Sequence, residues 1–376
     1  MTQQFSKTDE KWMRRAIQLA QKAAGHVSPN PMVGCVIVSS DGKKIGEGYH
    51  ERFGAPHAEI NAINSVRDKS ELLDATLYVT LEPCSHTGKT PACVSELIDL
   101  PLKRVVVGMV DPNPEVNGEG LEILRSQGKF QVDQGCLEKE ISRLNEAFIH
   151  YMRFGKPFIT LKIAQTADGY IAAPDGNSKW ISGKEARKRV HLWRSQYDAV
   201  MIGKTTAELD NPKLSVRHVE GRQPYRIVID GDLELSNELN LFSDQHEEKT
   251  IVLTHNKDQY ESIADPMLNL LKSNYFRGET ILVGKHEGHT DLDNAILQLS
   301  KKKITSVLVE AGSQLASAMI RENLVDKLHL FIAPKVLGGG TRSVIGAGIN
   351  RMEDIIELHE TSWEQVGNDM LLTGYF

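Results

Sequence analysis

Apolar and polar positions along this chain alternate between two spacings. From Lys7 onward, Trp12, Ala16, Leu19, Ala20 and Ala23 recur at the interval that puts one apolar face on a helix, until Gly25 and Pro29 interrupt it. Residues 33–38 form an unbroken apolar run, as a strand covered on both faces requires, and residues 44–49 return beside it across an Asp41-Gly42 turn. The pattern then predicts a helix over 58–66, opened by His57, and a strand over 77–81 that ends at Pro83-Cys84. Thr90-Pro91 reads as an N-cap with proline in the first helical position, which puts Cys93 in a helix's first turn. A buried strand at 104–108, a loop at Asp111-Pro112-Asn113-Pro114 and a helix at 120–127 follow. The alternation predicts a sheet with helices on both faces.

Residues 138–154 read as a helical connection carrying Leu144, Phe148 and Tyr151, broken by Gly155-Lys156-Pro157. We therefore expect two domains, 1–150 and 151–376. Strands predicted at 158–163, 199–203, 226–230, 250–253, 280–283, 306–310 and 329–334, with helical segments between them, give the second domain an open α/β sheet as well.

Composition agrees. A chain of 376 residues with 40% hydrophobic and 25% charged residues is globular and long enough for two domains. A net charge of -6 without a basic tract disfavours nucleic acid as partner or substrate. The polar first ten residues lack an apolar signal core and no apolar run approaches a membrane span, so a cytoplasmic protein is expected, and four scattered cysteines fit a reducing compartment.

The chemistry of the first domain lies in His57-Ala58-Glu59 and in Glu82-Pro83-Cys84 followed by Cys93. One imidazole and two thiolates hold Zn2+ with a fourth position open for water, whose pKa the metal lowers. Glu59 stays outside the ligand set and suits the proton shuttle of a hydrolytic deaminase. Eight residues separate the two cysteines, where base deaminases usually have two. Cys35 and Cys136 read as packing residues. His86, in the loop between the cysteines, is a rival ligand, but a substrate contact suits it better because three ligands already complete the open site. Asn30 lies between two prolines, where a turn residue and an amide facing a flat heterocycle are both consistent.

Asn30-Pro31-x-Val33-Gly34, His57-Ala58-Glu59 and Glu82-Pro83-Cys84-x-His86-x-Gly88-x-Thr90-Pro91-x-Cys93 together resemble the deaminase half of the bifunctional riboflavin-biosynthesis deaminase/reductase family, which has the long cysteine spacing. The resemblance implies a cytidine-deaminase-like three-layer domain with His57, Cys84 and Cys93 as zinc ligands, Glu59 as proton shuttle, and Asn30 and His86 bordering a pyrimidine.

Read without the family, the second half offers weaker signals. Asp168-Gly169 follows a strand, and Asp210-Asn211-Pro212 is either a capped turn or part of a cleft. Glu310-Ala311-Gly312-Ser313 precedes a helix-like stretch at 314–321, whose start suits a phosphate as well as a plain turn, and Gly338-Gly339-Gly340 has the same two readings. A Gly-x-Gly-x-x-Gly fingerprint is absent. Lys162-x-Ala164-x-x-x-Asp168-Gly169, Trp180-Ile181-Ser182-Gly183, Ala186-Arg187, Arg194, Asp198-Ala199, Gly203-x-x-Thr206, Asp210-Asn211-Pro212-x-Leu214-x-Val216-Arg217 and Glu310-x-Gly312 resemble, in order, the reductase half of the same family. One departure is Thr166-Ala167, where the family has Ser-Leu, and a mild change in the cleft is expected there.

The resemblance implies a dihydrofolate-reductase-like domain. Ala164, Trp180, Thr206, Asp210, Gly312, Ser313, Gln314, Leu315, Ala316, Ser317 and Ala318 would line NADPH, while Ser178, Arg194, Leu214, Arg217 and Glu310 would surround the phosphorylated sugar. Arg194 and Arg217 have the forked donors that suit a phosphate, or a surface carboxylate; Trp180 suits the core equally, and Asp210 a catalytic acid. Residues 243–297 match weakly and have no assigned role. The expected activity is zinc-dependent deamination of a pyrimidine ribosylamine phosphate followed by NADPH-dependent reduction of its sugar, in a homodimer. A base deaminase with an accessory ligand-binding domain is the alternative.

Overall fold

The computed structural model describes residues 4–85, 92–114, 116–264, 277–349 and 351–376. They divide into two units, Met1–Gly155 and Lys156–Phe376. A boundary at 150/151 would fall inside the helix Glu146–Phe154, which Gly155 ends in the left-handed conformation at φ 65°.

The first unit is built on five strands, β1 (Gly34–Val38), β2 (Lys44–Tyr49), β3 (Thr76–Leu81), β4 (Arg104–Met109) and β5 (Gln131–Gln134), in the order β2-β1-β3-β4-β5. β1 is antiparallel to both neighbours, and β3, β4 and β5 are parallel. Strand residues alternate between faces. Cys35, Ile37, Leu77, Val79, Val105 and Val107 pack against the helices Ala58–Ser65, Cys93–Ile98 and Glu119–Ser126, while Val36, Tyr78 and Val106 meet the helix Lys7–Ala20 and the pair Glu138–Leu144 and Glu146–Phe154. This is the predicted three-layer arrangement, and it explains why the strands read as unbroken apolar runs.

Two local expectations change. Ala92 occupies the N-cap of the helix Cys93–Ile98, without a side-chain cap, while Thr90 and Pro91 lie outside the described residues; Cys93 is nevertheless in the first turn. The single helix expected over 138–154 is two, because Asn145 breaks it to hold Met32: the Asn145 side chain accepts from Met32 N at 2.8 Å and donates to Met32 O at 3.0 Å.

In the second unit the strands are β6 (Phe158–Thr166), β7 (Tyr170–Ala172), β8 (Ala199–Gly203), β9 (Tyr225–Ile229), β10 (Thr250–Thr254), β11 (Glu279–Leu282), β12 (Lys285–His286), β13 (His289–Thr290), β14 (Ser306–Val309), β15 (Lys327–Ala333), β16 (Thr341–Arg342), β17 (His359–Val366) and β18 (Asp369–Tyr375). Nine form one sheet, β11-β10-β9-β8-β14-β6-β15-β18-β17. It is parallel from β11 to β15 and closes with an antiparallel hairpin. The helices Leu292–Lys301 and Ser313–Arg321 cover one face, and Lys184–Gln196, Lys204–Asp210 and Asn240–Ser243 the other. β17 escaped sequence reading because it is exposed along all but its last residue and carries no alternation, and β18 escaped with it. The chain places β8 to β11 outward to one side of β6, then returns to insert β14 and to add β15 on the other. At such a reversal the strand ends splay and leave a crevice at their carboxyl ends.

Gly34 is where the first unit packs tightest: a Cβ there would lie 2.0 Å from Ala16 O and 2.9 Å from Ala20 N, so glycine lets the helix Lys7–Ala20 rest directly on β1. The substitution Gly34→Ala is expected to destabilise the protein by about 2 kcal/mol, measured as a lower urea midpoint; an unchanged midpoint would show that the helix moves aside without cost.

Candidate functional site

In the first unit, three donors converge because each sits at the end of a regular element. His57 is the N-cap of Ala58–Ser65, Cys84 follows β3, and Cys93 is the first residue of its helix. His57 Nδ1 is 3.2 Å from Cys93 Sγ and 3.5 Å from Cys84 Sγ, and Cys93 N donates to Cys84 Sγ at 3.3 Å. Their ligand atoms lie within 4.8 Å of one another, the one such group among the described residues. One imidazole and two thiols are a donor set that fits zinc with a position left open. Hydrogen bonding from Cys93 and His57 holds the Cys84 thiol well below its usual range, while the bond to Cys84 and burial raise Cys93. Glu59, one residue into the helix and 3% exposed, is pushed up to about 7 by burial.

Asn30 reaches this group through a residue the sequence reading missed. His50, at the end of β2, lies edge-on to His57 with ring centroids 5.5 Å apart. Asn30 Nδ2 is 3.1 Å from His50 Nε2, and His50 Nδ1 is 3.2 Å from Pro56 O. An amide NH2 only donates, so Nε2 accepts and the Nδ1 proton goes to Pro56 O, which makes His50 neutral; burial lowers its pKa in the same sense. An isolated histidine has no sequence signal. Glu82 braces the Cys84 segment: its buried carboxylate accepts from Asp111 N at 3.0 Å, Gly118 N at 2.9 Å and Leu121 N at 3.2 Å. His86 lies outside the described residues.

In the second unit a cleft of about 1350 Å³ opens at the carboxyl ends of β6, β8 and β14. Ala164, Ser178, Trp180, Arg194, Thr206, Asp210, Leu214 and Arg217 line it, together with Glu310, Gly312, Ser313, Gln314, Leu315, Ser317 and Ala318 from later in the chain. Ala316 is the exception, since it is fully buried in the core. Trp180 is a rim residue, 64% exposed, with the Arg187 guanidinium 4.4 Å over its ring. Asn211 itself holds the turn that Asp210 was a candidate to cap, taking φ 41° and accepting from Asn240 N at 2.7 Å, while Asp210 accepts from Ser178 Oγ at 3.0 Å.

Arg194 meets Glu310 with both fork nitrogens, Nε to Oε1 at 2.6 Å and Nη2 to Oε2 at 2.9 Å. Burial raises the Glu310 pKa, but Arg194, then Lys162, outweigh it and hold the carboxyl at about 2. Lys162 Nζ is 4.0 Å from the same carboxylate, and burial lowers the lysine's own pKa. Lys162 was part of a motif without a role, and the structure brings it to the charged floor of the cleft. Gly231, His255 and Thr290 line the far end of the cleft, the last two from the stretch that had no assignment, with His255 Nδ1 3.0 Å from Thr290 Oγ1.

Gly312 is the N-cap of Ser313–Arg321, and the buried Ser313 Oγ has no hydrogen-bond partner. An orphaned hydroxyl with the first amides of a nine-residue helix fits a phosphate of a nucleotide cofactor. The Gly338–Gly340 loop is anchored at its first residue instead. Asp168 accepts from Leu337 N at 3.1 Å and from Gly338 N at 2.7 Å. Thr166 donates its hydroxyl to Asp168 Oδ1 at 2.6 Å and accepts from Tyr170 N at 3.0 Å.

Comparison with known proteins gives matches to both units. Residues 6–109 match the family described as cytidine and deoxycytidylate deaminase zinc-binding region, and residues 157–372 match the RibD C-terminal domain. The riboflavin biosynthesis protein RibD of Actinobacillus pleuropneumoniae is 40% identical over 97% of this chain and 94% of its own length. The structure of Acinetobacter baumannii RibD, form 1, superposes with a TM-score of 0.84 at 33% identity, covering 98% of this chain and 99% of the other. A Thermotoga maritima structure described as a diaminohydroxyphosphoribosylaminopyrimidine deaminase/5-amino-6-(5-phosphoribosylamino)uracil reductase gives 0.84 at 37% identity, covering 98% of each chain. With a zinc-binding deaminase unit and an NADPH-dependent reductase unit joined end to end, the chain belongs to the family of the riboflavin biosynthesis protein RibD.

Proposed function

We propose that the first unit deaminates a diamino-pyrimidinone ribosylamine phosphate and that the second reduces the ribosyl group of the product to a ribityl chain, the pair of reactions in the Thermotoga maritima description. The observation that carries the reading is the group His57, Cys84 and Cys93 with a buried carboxylate, Glu59, beside it but outside the ligand set. These three residues would hold zinc, which supplies an acidified water next to a carbon bearing an amino group. Glu59 moves the proton at its carboxylate oxygens, from the attacking water to the departing amino nitrogen. Asn30, with His50 accepting one of its amide protons, keeps the other for the pyrimidine, and His86 is assigned to the same ring.

In the cleft, NADPH would lie along Ala164, Trp180, Thr206 and the start of Ser313–Arg321 and supplies a hydride. Asp210, held by Ser178, gives a proton to the ring oxygen of the ribosylamine as the ring opens, which exposes the imine carbon. Ser178, Leu214 and Glu310 contact the sugar. Because the fork of Arg194 is filled by Glu310, Arg194 fixes that carboxylate and Arg217 takes the phosphate.

A homodimer through the reductase units is supported by the outer edge of β17, which pairs only with β18 and presents Trp363 at 59% exposure on the same face as Met370 at 40%. No helix among the described residues is long and apolar enough to cross a membrane, and four free cysteines support a reducing compartment, the cytoplasm.

The substitution Glu59→Gln is expected to lower ammonia release by about 1000-fold with full zinc content by metal analysis; ammonia release near the native rate removes Glu59 from the mechanism. Arg217→Ala should raise the reductase KM for the pyrimidine substrate about tenfold or more and leave deamination untouched, and native reductase kinetics would refute the phosphate assignment. Trp363→Glu should convert a dimer to a monomer by light scattering, whereas a dimer that persists puts the interface elsewhere.

A further inference from the structure

Arg217 is exposed at the cleft and has no carboxylate partner among the described residues. Its segment, residues 214–217, belongs to no sheet, and side chains hold it instead. Leu214 is buried in the left-handed region at φ 51°. Arg194 Nη1 donates to Ser215 O at 3.3 Å, and Gln223 brackets Val216, accepting from its N at 2.7 Å and donating to its O at 3.0 Å. Arg217 N donates to His191 Nδ1 at 3.2 Å.

His191 and Arg194 are three residues apart on the helix Lys184–Gln196 and therefore share one of its faces. That face holds Glu310 through the Arg194 fork, Ser215 through the third Arg194 nitrogen, and Arg217 through His191. We infer that His191 is a positioning residue for the reductase: its imidazole fixes the backbone of Arg217 so that the guanidinium faces the anionic group of the substrate. This rests on the reading that Arg217 binds the phosphate.

A backbone N–H only donates, so Nδ1 of His191 is the unprotonated nitrogen and the ring is neutral when the bond is made. Its surroundings keep it so. The residue is 5% exposed, and burial, with Arg194, His218 and Arg217 nearby, holds its pKa down at about 4. The ring of His218 lies edge-on, with 4.4 Å between centroids. A neutral acceptor here orients Arg217 without adding a third cation beside Arg194, which a lysine or arginine at this position would do.

The test compares His191→Leu, which removes the acceptor, with His191→Asn, whose Oδ1 stands near the place of Nδ1. In the full-length, zinc-loaded protein, His191→Leu should raise the reductase KM for the pyrimidine substrate about tenfold while kcat stays within about twofold. NADPH affinity by fluorescence titration and ammonia release should be native, the latter reporting an intact chain. His191→Asn should bring KM back to within about threefold of the native value. A native KM in His191→Leu overturns the inference, as does a joint loss of kcat, KM and NADPH affinity that His191→Asn does not rescue, since that is a packing defect. Arg217→Ala, measured in parallel, separates the two claims: if it raises KM and His191→Leu does not, positioning by His191 alone is refuted, whereas native kinetics in Arg217→Ala refute the phosphate reading and the inference with it.

Discussion

A carboxylate taken out of water has to be met by donors or give up its charge, and that constraint organises both units. Glu82 receives three backbone amides and so ties the segment leading to Cys84 to the loop and helix that follow β4. Glu310 receives the fork of Arg194 and remains ionised at the end of β14. Glu59 is buried without a guanidinium opposite it, and burial pushes it toward neutrality. Glu82 and Glu310 are thereby held in place by their donors, whereas burial outweighs every donor at Glu59.

How legible this was in the sequence depended on how far apart the partners lie along the chain. The zinc group could be read because its ligands sit in two short motifs at element ends. The inner strands could be read because layers cover them on both sides, so that Cys35 and Val36 are both buried although they face opposite ways. Asn145 looked like one more residue in a helix, since the contact that breaks it is to Met32, 113 positions away. For Arg194 the sequence left a phosphate and a carboxylate as equal choices, because its partner Glu310 is 116 positions away. His50 and His255 gave no signal of their own, each being a lone polar residue whose meaning comes from what the fold brings next to it, and Lys162 stood in a motif that gave it no role.

The same reasoning separates the glycines that matter from those that only turn the chain. Gly340 looked like part of a phosphate loop, but the loop's first amide, that of Gly338, already binds the Asp168 carboxylate, and a Cβ on Gly340 would lie 2.1 Å from Ala172 O. Gly120 attracted no notice, yet a Cβ there would lie 2.2 Å from Pro83 O, so its helix can approach the segment before Cys84 only as glycine. Glycine-rich sequence and close backbone approach are different things, and only the second is tied to a site here.

The strand order also governs events during synthesis. β6 opens the second unit, but its sheet neighbours, starting at Ser306 and Lys327, are translated long after it. The first unit has all five of its strands in hand before β6 leaves the ribosome. β6 then waits with both edges unpaired and Phe158, Ile159, Leu161 and Ile163 uncovered, so the nascent reductase half, more than the deaminase half, is the part of the chain that needs shielding from its neighbours.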